Sequence, residues 1–275
     1  MSPAAGDLSW AGLLPAVAAA ALSGLYTSAW GAFKDSPWEG YKPRTFPRSI
    51  LFSLGILGLL VAVPPLRERV LALDLVPLFF LVMGLERFLT ELYKGCFRDE
   101  PQDKYFVPSE LHLLGRPVPS RAVRVGAGVV LVAAVFAVLF LAAPVTAYWQ
   151  YLVVAYLTGL LVSGGGAWKD APFEGFHYLK FHRSGLVLAI ASPFFYWLRP
   201  GGDPVALGIL VYMNGGLERF LVEYYKTYIQ RNMSGKFRPD LPRVETRRRE
   251  ELHVLAWVLI VGVVAVALFE AGAGS

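Results

Sequence analysis

Two strings 135 residues apart constrain the fold of this chain more than any other feature of it. GAFKDSPWEGY occupies residues 31–41 and GAWKDAPFEGF residues 166–176, each directly after an apolar run. FPRS at 46–49 is answered by FHRS at 181–184, GLERFLTELYK at 84–94 by GLERFLVEYYK at 216–226, and ELH at 110–112 by ELH at 251–253. Lys34/Lys169 and Arg48/Arg183 stand 135 residues apart, and Glu86/Glu218 and Lys94/Lys226 stand 132 apart. Collinear self-similarity of this kind marks a duplicated unit, with the copies expected at 1–146 and 147–275. Whatever one half folds into, the other half folds into as well, and the two must pack.

The medium in which they pack follows from composition. At 55% hydrophobic residues, a mean hydropathy of +0.48 and only 17% charge, the chain is too apolar for an ordinary soluble domain. Apolar runs at 10–33, 50–64, 71–93, 122–143, 148–168, 184–198, 204–226 and 253–272 predict an all-α membrane protein of about eight spans. The runs at 50–64 and 184–198 fall short of the roughly 20 residues a full span needs, so a thinned bilayer or a re-entrant path is expected there. An even number of spans per copy makes the two four-helix units parallel, related by an axis along the membrane normal. The stretch 142–151 is the expected junction, with Tyr148, Trp149 and Tyr151 as interfacial anchors. In an eight-span arrangement only Arg67, Arg69 and Arg199 fall opposite the other basic loop residues, which predicts both termini outside and both motif loops cytoplasmic. The start, MSPAAGDLSW, has no basic n-region, so no cleavable signal peptide is expected. A multi-pass protein of the inner (cell) membrane is the expected setting.

Several chemistries are disfavoured at once. Cys96 is the only cysteine, which excludes an internal disulfide and a cysteine-based metal site. His112, His177, His182 and His253 have no i, i+4 partner among themselves, so neither a metal nor another cofactor is expected. The net charge of +5 suits cytoplasmic loops and anionic headgroups rather than nucleic acid.

The residues that carry chemistry are the duplicated ones. Arg87, Glu91 and Lys94 are spaced i, i+4, i+7 and share a helical stripe, repeated by Arg219, Glu223 and Lys226. Charge set one or two turns into a membrane is costly unless it faces a polar cavity, and so marks a candidate site. Arginine grips phosphate or carboxylate in a planar, bidentate fashion, and a neighbouring carboxylate holds the guanidinium in place. Glu86 and Glu218 point about 100° away from that stripe, toward another helix. Lys34, Asp35 and Glu39, with Lys169, Asp170 and Glu174, form a Lys-Asp-x-Pro-x-Glu-Gly loop suited either to a divalent ion bridging to a phosphate or to a Pro-rigid turn with a capped helix end. Arg48, Arg183 and His182 follow on the next segment. The helix centres carry few polar groups, Ser28, Ser53, Thr158 and Asn214 being the notable ones, which favours binding near one interface over a midplane transport site.

In this order, GLLVSGGGAWKDAP (159–172), FHRSGLV (181–187) and GGLERFLVEYYK (215–226) resemble the prolipoprotein diacylglyceryl transferase family, as do SGLYTSAWGAFKDSP (23–37), FPRSILF (46–52) and MGLERFLTELYK (83–94). That family pairs a Gly-rich stretch and a His-Pro-Ser segment with Tyr-Gly-x-x-Arg-Phe-x-x-Glu-x-x-Arg. The resemblance implies a membrane transferase that moves the diacylglyceryl group of phosphatidylglycerol onto the cysteine of a lipoprotein precursor. It places the family's arginine on Arg87 and Arg219, its glutamate on Glu91 and Glu223, its last basic residue on Lys94 and Lys226, and its histidine on His182. The family's His-Gly-Gly motif has no counterpart here, and its work on the outer face runs against the charge bias. Two other readings stand beside the transferase: a lipid or small-anion transporter on the pseudo-twofold axis, and a non-catalytic lipid-binding protein.

Overall fold

The computed structural model describes residues 10–39, 41–103, 105, 107–198, 203–225, 229 and 246–273. It is mostly helical. Helices α1 (Trp10–Glu39), α2 (Arg48–Ala62), α3 (Pro64–Leu71), α4 (Leu75–Leu92) and α5 (Arg121–Leu139) are followed by α6 (Tyr148–Glu174), α7 (Tyr178–Ala191), α8 (Pro193–Trp197), α9 (Leu207–Tyr224) and α10 (Thr246–Ala273). Four stretches are long and apolar enough to cross a membrane: Gly12–Lys34, Pro43–Ala62, Arg121–Leu139 and Tyr148–Phe173, with a shorter apolar stretch at Glu251–Val263. The chain is a membrane protein on that ground. Helices α4 and α9 are 18 residues each and hold three charged residues apiece, Glu86, Arg87 and Glu91 in one and Glu218, Arg219 and Glu223 in the other.

Proline sets the shorter breaks. Pro64 and Pro65 stop α2 by withholding two backbone donors, and Arg67 closes the corner by donating Nε to the Val61 carbonyl at 2.7 Å. Pro193 divides the 184–198 run, so α7 ends at Ala191 and the short α8 turns away from it. Two-residue strands β1 (His112–Leu113) and β2 (Arg116–Pro117) form a hairpin, turned through Leu114 and Gly115 at φ 51° and 79°, the left-handed pair a two-residue turn demands. Strand β3 (Pro144–Val145) pairs antiparallel with β4 (Val205–Ala206), which ties the 142–151 junction to the start of α9.

Packing is built on helix pairs. α1 lies along α2, α6 along α7, and α4 along α9, with α10 against α1 and α4. Small residues mark the crossings, as expected where lipid supplies no hydrophobic drive between helices. A Cβ at Gly24 would collide with the Ser49–Ile50 backbone of α2, and one at Gly159 with Ser184–Gly185 of α7. The central crossing is closer still. A Cβ on Gly84 would overlap the Tyr212 carbonyl and one on Gly216 the Phe80 carbonyl, so α4 and α9 touch backbone to backbone.

Two expectations are corrected. The Lys-Asp-x-Pro-x-Glu segments are helical rather than loops: α1 runs through Glu39 and α6 through Glu174 with Pro172 inside it. A proline this near the end removes one donor, and Gly175, at φ 82°, makes the stop instead. Tyr148 and Trp149 are exposed as anchors should be, but Tyr151 is buried against Tyr196, with its carbonyl accepting a hydrogen bond from Ser192 at 3.0 Å.

Candidate functional site

The close approach of α4 and α9 decides where the duplicated charges go. Arg87 reaches across to Glu218 of α9, and Arg219 reaches back to Glu86 of α4. Each glutamate is buried, Glu86 to 2% and Glu218 to 1% exposure, and each is held by a serine from its own half. Ser49 donates to Glu86 Oε1 at 3.1 Å and Ser184 to Glu218 Oε1 at 2.7 Å; Thr90 adds a second donor to Glu86 at 3.2 Å. A buried carboxylate is tolerable only when paired and hydrogen-bonded, and both are. The two arginine side chains keep about a quarter of their surface open, 25% for Arg87 and 24% for Arg219.

A second reciprocal layer lies beyond the first. Lys34 pairs with Glu223 at 3.7 Å and Lys169 with Glu91 at 3.4 Å, each a lysine from one half meeting a carboxylate from the other. Lys94 also donates to Glu91, at 3.1 Å. The predicted stripe Arg87, Glu91, Lys94 is therefore split: Glu91 serves Lys94 and Lys169, while Arg87 serves the other helix. Glu86 and Glu218, expected to face another helix, do so and sit at the centre of the arrangement. Ser49 and Ser184, which hold them, are not singled out by the sequence, and the signal for both is that they belong to duplicated strings.

The remaining expected residues are placed less centrally. His182 accepts from or donates to the Tyr156 hydroxyl at 2.8 Å through Nδ1 and is walled by Tyr156, Tyr178 and Phe181. Arg183 lays its guanidinium over the Tyr225 ring at 5.2 Å, with Nε buried and unpartnered among the described residues. Arg48 is exposed at the start of α2. Asp170 lies in the last two turns of α6. Lys226 lies outside the described residues, and so do the side chains of Asp35, Glu39 and Glu174. No group of three His, Cys, Asp or Glu able to hold a metal occurs among the described residues.

Between α4 and α5 a segment from Arg98 to Ser120 folds over the end of α4. Leu111 donates its N–H to the Gly95 carbonyl at 2.7 Å, and Arg98 joins Glu100 at 2.6 Å and Ser109 at 2.9 Å. Glu110 is held by Arg124 of α5 at 2.7 Å. Cys96 is buried beneath, and that burial pushes its thiol up, with the nearby Arg124 pulling it partly back. The hairpin reaches the far half through His112, whose Nε2 lies 2.8 Å from the Lys169 carbonyl and whose own carbonyl accepts from Trp168 Nε1 at 3.3 Å.

Searches among protein families, curated proteins and solved structures find no match to this chain.

Proposed function

We propose that this is a multi-pass protein of the inner membrane, built as two parallel four-helix copies, that binds the anionic headgroup of a phospholipid at the Arg87/Arg219 end. One observation carries the reading. Each arginine is fixed on one edge by a buried glutamate from the other half while about a quarter of its side-chain surface stays open, and Lys34, Lys94 and Lys169 pair with the next glutamates of the same two helices. An arginine oriented in this way is prepaid in side-chain entropy and presents its free donors to a phosphate oxygen. The resemblance to diacylglyceryl transferases gives the reaction this lipid would enter: a cysteine thiolate attacks the phosphate-bearing carbon of the diacylated glycerol, the C–S bond forms as that carbon's C–O bond to the phosphate breaks, and glycerol phosphate leaves with the electron pair.

A non-catalytic lipid-binding role has an observation of its own. All four carboxylates of the two GLER helices, Glu86, Glu91, Glu218 and Glu223, already have cationic partners. Native mass spectrometry of the detergent-solubilised protein against phosphatidylglycerol and phosphatidylcholine tests the binding. Preferential retention of phosphatidylglycerol, weakened by Arg87→Gln and Arg219→Gln in folded protein, is expected; equal retention of both lipids refutes it. Incubation with phosphatidylglycerol and a lipoprotein-precursor peptide then separates the two roles, because transfer adds the diacylglyceryl mass to the cysteine. Binding without that mass leaves the non-catalytic role.

A further inference from the structure

We propose, building on the headgroup reading, that the cavity at the Leu217–Phe220 turn of α9 seats one acyl chain of the same phospholipid. The cavity, about 250 Å³, is walled by Phe80 of α4, Ala191 of α7, Phe194 of α8, Leu217 and Phe220 of α9 and Ile260 of α10, all apolar. It is the space that α10, packed on α1 and α4, leaves against the corner of α7 and α8. Phe80, Leu217 and Ile260 are buried, whereas Ala191, Phe194 and Phe220 are partly exposed and form its mouth. Leu217 and Phe220 bracket Glu218 and Arg219, so the upper wall belongs to the turn that carries the charges. Phe80 precedes Arg87 by seven residues and Ala191 follows Ser184 by seven, about 10 Å along each helix away from the charged end. An occupant therefore meets charge at one end and only hydrocarbon below it, which suits a phospholipid.

Other occupants fit less well. The walls offer water no hydrogen bond, and an apolar cavity of this kind stays dry. A helix, about 10 Å across with its side chains, is too wide for the space. Left empty, the lining loses the dispersion contacts that a neighbour would give, and the surrounding membrane supplies acyl chains to restore them. The corresponding place against α5 is bridged instead. Tyr212 stands 132 residues after Phe80, and Phe88 stands 132 before Phe220. Those two rings pack edge to face at 5.6 Å, and the Tyr212 hydroxyl donates to the Val135 carbonyl of α5 at 2.6 Å. Phe80 has no hydroxyl with which to reach α10, and its ring turns to Phe194 and Phe195. The two halves thus offer a lipid chain unequal sides, and the one beside α10 is open.

Full-length protein in phosphatidylcholine liposomes, with a trace of phosphatidylglycerol carrying a diazirine midway along one chain, is irradiated and its labelled residues are found by mass spectrometry. Phe80, Leu217 and Ile260 are buried, so label reaches them through the cavity. The expected result is label on these residues that is lost in Ala191→Phe, whose ring fills the mouth, while label on the exposed Val130 of α5 persists. Label on Val130 without label on Phe80 overturns the site, and so does label on Phe80 that survives Ala191→Phe. Should that variant not fold, competition in the unmodified protein decides. Added unlabelled phosphatidylglycerol should lower the label on Phe80 relative to that on Val130, and an unchanged ratio overturns the site. The same diazirine carried on phosphatidylcholine separates the two readings: equal label on Phe80 from either lipid supports the chain site and removes the headgroup preference.

Discussion

Replacing Arg219 alone is expected to harm the fold more than replacing Arg219 and Glu86 together. Glu86 is 2% exposed and has three donors, Ser49, Thr90 and Arg219, of which only the last carries charge. Arg219→Gln strands a carboxylate inside the bundle, which costs about 3–5 kcal/mol when no other cation moves in. Glu86→Gln does less damage. The amide keeps its contacts with Ser49 and Thr90, and Arg219, already 24% open, can extend its head toward water, for about 1–2 kcal/mol. The double variant has no stranded charge and should fall within about 1 kcal/mol of Glu86→Gln, a coupling of about 2 kcal/mol or more. Reversible unfolding in mixed micelles, followed by circular dichroism for all four proteins in one detergent, measures it. If Arg219→Gln costs under about 1 kcal/mol, or if the two single losses simply add, the reciprocal pairing does not hold the halves together.

Gly84→Ala and Gly216→Ala should each cost about 1–3 kcal/mol by forcing α4 from α9, whereas Gly165→Ala, with open space around its Cβ, should be neutral or stabilising in the same unfolding assay. Asn214 is wholly buried with both amide atoms unpartnered among the described residues, and the matching residue in the first half is Val82; Asn214→Val should therefore raise the unfolding midpoint by the equivalent of about 1–3 kcal/mol. A lowered midpoint there would show that the amide is satisfied in the membrane by a group such as bound water. Cys96, buried and with its thiol pushed up by that burial, should resist maleimide at neutral pH in native protein and react rapidly once detergent unfolds it. Rapid labelling of the native state, scored by mass, would contradict the burial of Cys96.

Of the about eight spans expected, four stretches are long and apolar enough among the described residues; three were readable in full from hydropathy, while Pro43–Ala62 was expected as a run of 50–64 too short to span. The correspondence of residues between the two halves was readable because near-identical strings recur. The partners were not. A helical stripe links Arg87 to Glu91 by spacing, but spacing ignores how near a second helix lies. Gly84 and Gly216 bring α9 so close that the glutamate of the opposite helix outcompetes the one on the same helix. The Lys-Asp-x-Pro-x-Glu segments misled in another way, since proline reads as a breaker locally but removes only one hydrogen bond near a helix end. His112 was visible in the repeated ELH string, yet its contact with the Lys169 carbonyl depends on a hairpin that carries it to α6, and two-residue strands leave almost no periodic trace. Tyr151 looked like its neighbours Tyr148 and Trp149 because an interfacial belt and a helix face both favour aromatics; only the position of α8 decides between them.

The backbone contact at Gly84 and Gly216 has a consequence for assembly. Each GLER string carries the glycine, the acid and the base, so one half holds every group that its opposite half needs. The interface is thus self-complementary in the sense of an isologous dimer, in which the same patch serves on both sides. A fragment of residues 1–146 meeting a second copy of itself would find Glu86 facing Arg87 twice over, without any residue from beyond the junction.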